Sequence, residues 1–157
     1  MAKQKHKDGT QFASLPFRVS ADGSCQIMLV TSRGTHRWII PKGWPIKGLR
    51  AFEAAAQEAY EEAGLIGHMV HDRPFGSYDY DKALPGRSLR CAVGVFLLRV
   101  DRQTTDWPEK TQRETRWFDP AEAADLVNEH GLADVIRRFA SAHPLHAAPA
   151  DPREADA

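Results

Sequence analysis

Ala51-Phe52-Glu53-Ala54-Ala55-Ala56-Gln57-Glu58-Ala59-Tyr60-Glu61-Glu62-Ala63, closed by Gly64, is the stretch on which the reading of this chain turns. Its Ala and Glu content favours helix, and Gly64 stands where a left-handed residue ends one. At about 100° per residue, Phe52, Ala55, Ala56, Ala59 and Ala63 share one face. Side chains this small let a helix lie close against a sheet. Glu58, Glu61 and Glu62 fall together on the other side, within an arc of roughly 100°. Grouped carboxylates repel one another, and these stand near the helix C-terminus, where the macrodipole disfavours negative charge. Alone, Glu-x-x-Glu-Glu is most simply a solvated acidic face. Two features argue otherwise. No Lys or Arg lies three or four residues away to relieve the charge, and the helix follows directly on a Gly/Pro loop, residues 41–49, that carries Lys42 and Lys47. Hard carboxylate oxygens grouped in this way suit Mg²⁺ or Mn²⁺.

Outward from the helix, residues 12–19 and 26–32 are apolar, β-branched runs separated by the turn cluster Ala21-Asp22-Gly23-Ser24, and read as adjacent strands. Trp38-Ile39-Ile40 is a third short strand, stopped by Pro41. Further strands are expected near 68–80 and 89–100, with a mobile polar connection across 81–87. Thr115 to Phe118 makes another strand. Asp119-Pro120 opens a helix running to about Glu129, and 132–142 forms a last amphipathic helix. Strands covered by separate helices predict an α+β sandwich rather than a regular βαβ array.

The 157 residues fit one domain, read as residues 11–143, between a basic tail (1–10, with Lys3, Lys5 and Lys7) and an acidic, Ala- and Pro-rich tail (144–157), both expected to be disordered. Composition is that of a soluble globular protein, 42% apolar and 27% charged. The 21 basic and 21 acidic residues cancel, so no global nucleic-acid surface is indicated. No apolar run reaches the roughly 18–20 residues of a membrane span, and the start lacks the apolar stretch of a signal peptide. Cys25 and Cys91, isolated in apolar surroundings, read as reduced core thiols, and a cytoplasmic location is expected. His36, His68 and His71 show no metal spacing, and Ser14, Ser32 and Ser77 lack a nucleophile-elbow context.

Gly43 followed by Gln57-Glu58-Ala59-Tyr60-Glu61-Glu62-Ala63-Gly64-Leu65 resembles the Nudix box, G-x5-E-x7-R-E-U-x-E-E-x-G-U, where U is aliphatic. The flanks resemble the diphosphoinositol polyphosphate and diadenosine polyphosphate hydrolase branch: Arg37-Trp38-Ile39-Ile40-Pro41-Lys42-Gly43 before the box, and Asp106-Trp107 through Arg113 to Trp117-Phe118 after it. The resemblance covers roughly residues 12–130. It implies a Nudix-type α/β/α sandwich with a mixed central sheet, and a Mg²⁺-dependent hydrolase, Mn²⁺ being an alternative ion. The bond cut would be a phosphoanhydride in a small-molecule nucleotide or polyphosphate.

The same resemblance implies roles. Glu58 and Glu62 bind the metal with the main-chain carbonyl of Lys42, and Glu61 is the base that activates water, with Glu58 able to exchange that role. Glu114 is a further candidate ligand. Arg18, Arg33, Arg37, Lys42 and Arg113 are candidate phosphate clamps, since a guanidinium can bind two oxygens at once, with Arg113 and Arg18 foremost because their surroundings also match the resembled branch. Trp44 and Tyr80 are candidates for stacking on a nucleobase, although a loop aromatic more often packs. Two positions depart from the pattern: Leu49 stands for the box's early Glu and Gln57 for its Arg. The pair that braces loop to helix in the family is therefore absent, and packing of Trp44 and Leu49 is expected in its place. These departures motivate the alternative of a non-catalytic Nudix-fold binding or regulatory module. RNA 5′-end processing is a third reading. Oligomeric state is open.

Overall fold

The computed structural model describes residues 8–142. In chain order the elements are β1 (Asp8–Val19), β2 (Cys25–Thr31), β3 (Trp38–Ile39), β4 (Lys42–Gly43), α1 (Ala51–Ala63), β5 (Leu65–Met69), β6 (Gly76–Leu84), β7 (Arg87–Gln103), β8 (Thr115–Phe118), α2 (Pro120–Leu126) and α3 (His130–Ala142). Most of the two expected tails lies outside the described residues, but β1 begins at Asp8, inside the segment read as the basic tail. No described helix is long and apolar enough to cross a membrane.

The sheet runs β3-β2-β1-β7-β5, with β4 pairing β1, β6 pairing β7 and β8 pairing β2. The pairing of β1 with β7 is parallel and the others are antiparallel, so the sheet is mixed as expected. Period-two alternation sorts the side chains onto two faces. Ala13, Leu15 and Phe17 of β1, Ile27 and Leu29 of β2, and Val93, Val95 and Leu97 of β7 pack against Leu132, Val135, Ile136 and Phe139 of α3. On the opposite face, Met28, Val30 and Leu98 pack against Ala59 and Ala63 of α1. Helices on both faces give the α/β/α sandwich.

Helix α1 has the expected bounds. Arg50 is its N-cap in extended conformation, and its N–H donates to the Glu53 carboxylate at 2.7 Å. Gly64 ends the helix in the left-handed region (φ 70°), its N–H bonding back to Ala59 and Tyr60. Ala55, Ala59 and Ala63 are fully buried, and the Ser14 hydroxyl of β1 donates to the Ala55 carbonyl at 2.7 Å. Strand and helix backbones therefore meet with only small side chains between them.

Three expectations are corrected. The strand read at 68–80 is two strands, β5 and β6, which share β7 as partner. Val70 and Phe75, between them, still donate to Leu97 and Val95 of β7. The stretch 81–87 is not a mobile connection: Asp81 to Leu84 continue β6, Leu84 pairs with Arg87, and Pro85-Gly86 makes a tight turn with Gly86 at φ 74°. Helix α2 stops at Leu126 because Val127 is extended, and α3 opens at His130.

Gly67, at a bulge in β5, lies against β7 so closely that a Cβ would stand 2.0 Å from the Arg99 carbonyl oxygen. Backbone cannot yield as a flexible side chain can. Gly67→Ala is expected to destabilise the fold by about 1–3 kcal/mol, read as a lower urea midpoint with unchanged m-value.

Candidate active site

The loop before α1 is drawn onto the sheet by β4. Lys42 pairs with Ala13 and Gly43 with Phe12, and the Ser14 N–H donates to the Pro41 carbonyl at 3.0 Å. Gly43 then lies directly against α1, where a Cβ would come within 2.3 Å of the Glu58 carboxylate. The missing side chain is what admits that carboxylate to the strand. Leu49 is 41% exposed, whereas Trp44, though 42% exposed, lays its ring against Gly9 of β1. Main-chain pairing and the Trp44 contact brace the loop, without Leu49.

Glu58 is half-buried and Glu62, one turn on, is only 3% exposed. Each carboxyl lies within hydrogen-bonding reach of the other. Burial, opposed by the Arg113 guanidinium and reinforced by Glu58, pushes Glu62 up to about 9. Glu58 is also raised, first by burial, with the charges of Glu61 and Glu109 adding to it. Glu62 Oε1 is shielded from solvent and has no hydrogen-bond partner.

These two glutamates open onto a cleft of about 690 Å³, a size suited to a small-molecule ligand. Arg33, Arg37, Lys42, Lys82 and Arg113 contribute cations to its lining, Glu109 and Glu129 further carboxylates, and Trp44 and Tyr80 aromatic surface. The Lys42 ammonium lies 4.9 Å from the centre of the Tyr80 ring. Burial lowers its pKa, and Glu129 and Glu62 partly restore it. The Tyr80 hydroxyl donates to Gln11 Oε1 at 2.7 Å.

Of the residues singled out from sequence, the cleft brings together Glu58, Glu62, Lys42, Arg33, Arg37 and Arg113. Three others fall elsewhere. Glu61 is outside the lining, its carboxylate accepting from Gln57 Nε2 at 2.7 Å. Glu114 is exposed and serves through its backbone, its N–H donating to the Thr31 hydroxyl. The carboxylate that the downstream segment brings to the cleft is instead Glu109. Arg18 binds the Gln26 side chain and stacks over Trp117, 4.2 Å from the ring centre. It stands seven residues along β1 from Gln11, roughly 23 Å in extended chain, and so cannot share the cleft.

Gln11, Lys82, Glu109 and Glu129 escaped the sequence reading. For Glu109 a signal existed, its i, i+4 spacing to Arg113, now a 2.7 Å ion pair. Glu129 carried none, since its place follows from how the α2–α3 turn meets the sheet.

Among the described residues no group of three or more His, Cys, Asp or Glu is placed to hold a metal ion. Glu58 and Glu62 nevertheless fit one chemically. They are hard oxygen donors, forced together and desolvated, and one oxygen lacks any partner. Their proton linkage is testable. Folding raises the Glu62 pKa from 4.5 to about 9, so the folded state binds the extra proton. The resulting stabilisation is complete below pH 4.5 and lost as pH rises through about 9. The melting temperature of metal-free protein should fall across that window, and Glu62→Gln, which cannot ionise, should flatten the fall. A parent profile parallel to that of the variant would refute the linkage.

A family model for the NUDIX domain matches residues 17–139, most of the chain. Among curated relatives, Nudix hydrolase 13, mitochondrial, of Arabidopsis thaliana is 27% identical over 88% of this chain and 68% of its own length. Nudix hydrolase 12, mitochondrial, of the same plant is 30% identical, over 73% of this chain and 58% of its own. Diphosphoinositol polyphosphate phosphohydrolase 3-alpha of Mus musculus is 30% identical, over 67% and 62%. Among solved structures, a C. elegans Ap4A hydrolase binary complex superposes with a TM-score of 0.63 at 18% identity, covering 84% of this chain and 95% of that one, which bears on fold alone. Sheet, helix and matched sequence agree: the chain belongs to the Nudix family and is a Nudix pyrophosphohydrolase.

Proposed function

We propose that the chain hydrolyses phosphoanhydride bonds in nucleoside diphosphate-linked or polyphosphate substrates with Mg²⁺, dinucleoside polyphosphates and diphosphoinositol polyphosphates being favoured. The observation that carries this reading is the buried Glu58–Glu62 pair opening on a cleft with cations to either side of β1. Arg33 and Arg37 come from the β2–β3 side, while Lys82 comes from β6, beyond β7. Such a distribution suits a ligand charged at both ends. The names of the murine phosphohydrolase and the nematode Ap4A hydrolase are in keeping with it.

In this reading Glu62, the main-chain carbonyl of Lys42 and whichever of Glu58 and Glu61 does not act as base would hold the divalent ion, which would neutralise phosphate charge and acidify water. The remaining work falls to side chains of the chain itself. Arg33, Arg37, Lys42 and Lys82 orient the phosphate oxygens, the arginines through bidentate contacts. Glu58 takes the proton of the attacking water. It is favoured over Glu61 because it lines the cleft, whereas Glu61 is held by Gln57. The two free, buried cysteines suit a reducing compartment, and a cytoplasmic location is proposed.

A substrate-panel phosphate-release assay with Mg²⁺ and Mn²⁺ tests the reading. The parent should turn over at least one panel member only with metal. Glu58→Gln should lose about 10²–10⁴-fold in kcat, and Glu61→Gln distinctly less. Binding of a panel member without turnover by the parent would favour the non-catalytic binding module, which the Leu49 and Gln57 departures also suit. Equal losses in the two variants would remove the preference for Glu58.

A further inference from the structure

Arg113 is the most thoroughly committed cation of the cleft. Its side chain is 8% exposed, yet it meets two other elements, β2 and α1, as well as Glu109 of its own segment. Its Nε donates to the Glu109 carboxylate at 2.7 Å, Nη1 donates to the Thr31 carbonyl of β2 at 3.1 Å, and Nη2 stands 3.8 Å from Glu62 Oε2 of α1. Glu109 in turn donates its backbone N–H to the Glu61 carbonyl at 3.0 Å, while the Glu114 carbonyl accepts from the Thr31 N–H and the Glu114 N–H donates to the Thr31 hydroxyl. The segment carrying Arg113 is thereby fastened both to the helix that holds the carboxylates and to the strand beside it. Two of its five N–H donors are thereby taken, and a side chain only 8% exposed is poorly presented to a phosphate.

The helix itself provides no equivalent anchor. Gln57 is engaged with Glu61, Leu49 is exposed, and no other Lys or Arg forms an ion pair with Glu62 among the described residues. We infer that Arg113 is a positioning residue rather than a phosphate clamp: it fixes the Glu62 carboxylate at the cleft, and so replaces from outside the box the brace that Leu49 and Gln57 no longer supply. Its planar fork explains why Arg stands there, since the three contacts diverge from one rigid group that an ammonium cannot mimic. Glu109 completes the device by fixing the guanidinium at its Nε edge.

The inference rests on the hydrolase reading for its kinetic consequence, but not for its structural one. Arg113→Lys keeps the charge and loses the fork. Its kcat is expected to fall on the order of 10²-fold with little change in KM, and Mn²⁺ binding in the absence of substrate, followed by electron paramagnetic resonance, should weaken. Restoring the box pair with Leu49→Glu and Gln57→Arg in the Arg113→Lys protein should recover most of the kcat. A raised KM with kcat intact would make Arg113 a clamp and overturn the inference. Failure of the restored pair to recover kcat would equally overturn the replacement of the brace.

Should the parent prove inactive, the hydrolase reading fails by itself, and a double-mutant cycle decides the brace. Arg113→Lys and Glu62→Gln should change the melting temperature of metal-free protein non-additively. The cycle Glu109→Gln with Glu62→Gln, which leaves Arg113 in place, repeats the measurement if Arg113→Lys does not fold. Additive losses in the cycle would overturn the inference.

Discussion

The close approach of α1 to the sheet is the constraint from which the rest of the site follows. Ala55, Ala59 and Ala63 present no side chain longer than a methyl group, so the helix settles onto β1 and β2 with the Ser14 hydroxyl bonded to its backbone. A helix that close cannot keep its flanking glutamates in water. Glu62 goes under the surface, and Glu58 is carried against the bare Cα of Gly43. Larger residues on the alanine face would return both carboxylates to solvent and leave an ordinary acidic surface. Burial, rather than the mere presence of glutamates, gives the helix its chemistry.

Burial has a consequence that the fold must meet. A desolvated carboxylate either binds a proton or finds a cation. Here Glu62 does some of each: its pKa is raised, it lies within reach of Glu58, and the Arg113 guanidinium is held nearby. The same unsatisfied state that costs stability makes the pair receptive to a divalent ion, because a metal replaces a proton and an incomplete hydrogen-bond set at once. Folding energy is thus invested in a pair of carboxyls left incompletely satisfied, a common relation between strain and function.

How much of this was legible in the sequence depended on how local its cause was. The bounds of α1 and β8 could be read because helix propensity, the Gly64 cap and the β-branched and aromatic run act over a few residues. The α+β class could be read because strand-like and helix-like runs fall in separate segments, while the α/β/α layering was implied only by the resemblance to the Nudix family. β4 could not, since two residues form a strand there only because β1 supplies its ladder. The β6–β7 hairpin was hidden for a different reason: its distal half is polar and mostly exposed, with only Leu89 buried, so its composition resembled a loop, although Pro85-Gly86 was a turn signal. In the site, the glutamates on one helix face were visible by spacing. Their division into a cleft-facing pair and an outward Glu61 was not, because it depends on Gly43 and Gln57. Arg18 misled because a favourable neighbourhood in sequence says nothing of distance along an extended strand.

The departures at Leu49 and Gln57 also take on a different meaning once Arg113 is placed. Read along the chain, they are two losses in one motif. Read in space, they leave a helix whose Glu62 already has another guanidinium 3.8 Å away. A box that kept its own Arg at position 57 would bring a second cation towards a cluster whose counter-charge must remain available to a metal. Dropping both members leaves no orphan charge, and one buried guanidinium then serves the carboxylate from the opposite wall. The anchor has moved from the helix to the segment before β8. That segment also carries Glu109 to the cleft and, through Gln112, ties back to Arg33. The placing of the Glu62 carboxylate and the shape of the cleft-facing loop are consequently set by the same stretch of chain, so in the proposed reading changes in that loop would alter rate and substrate preference together.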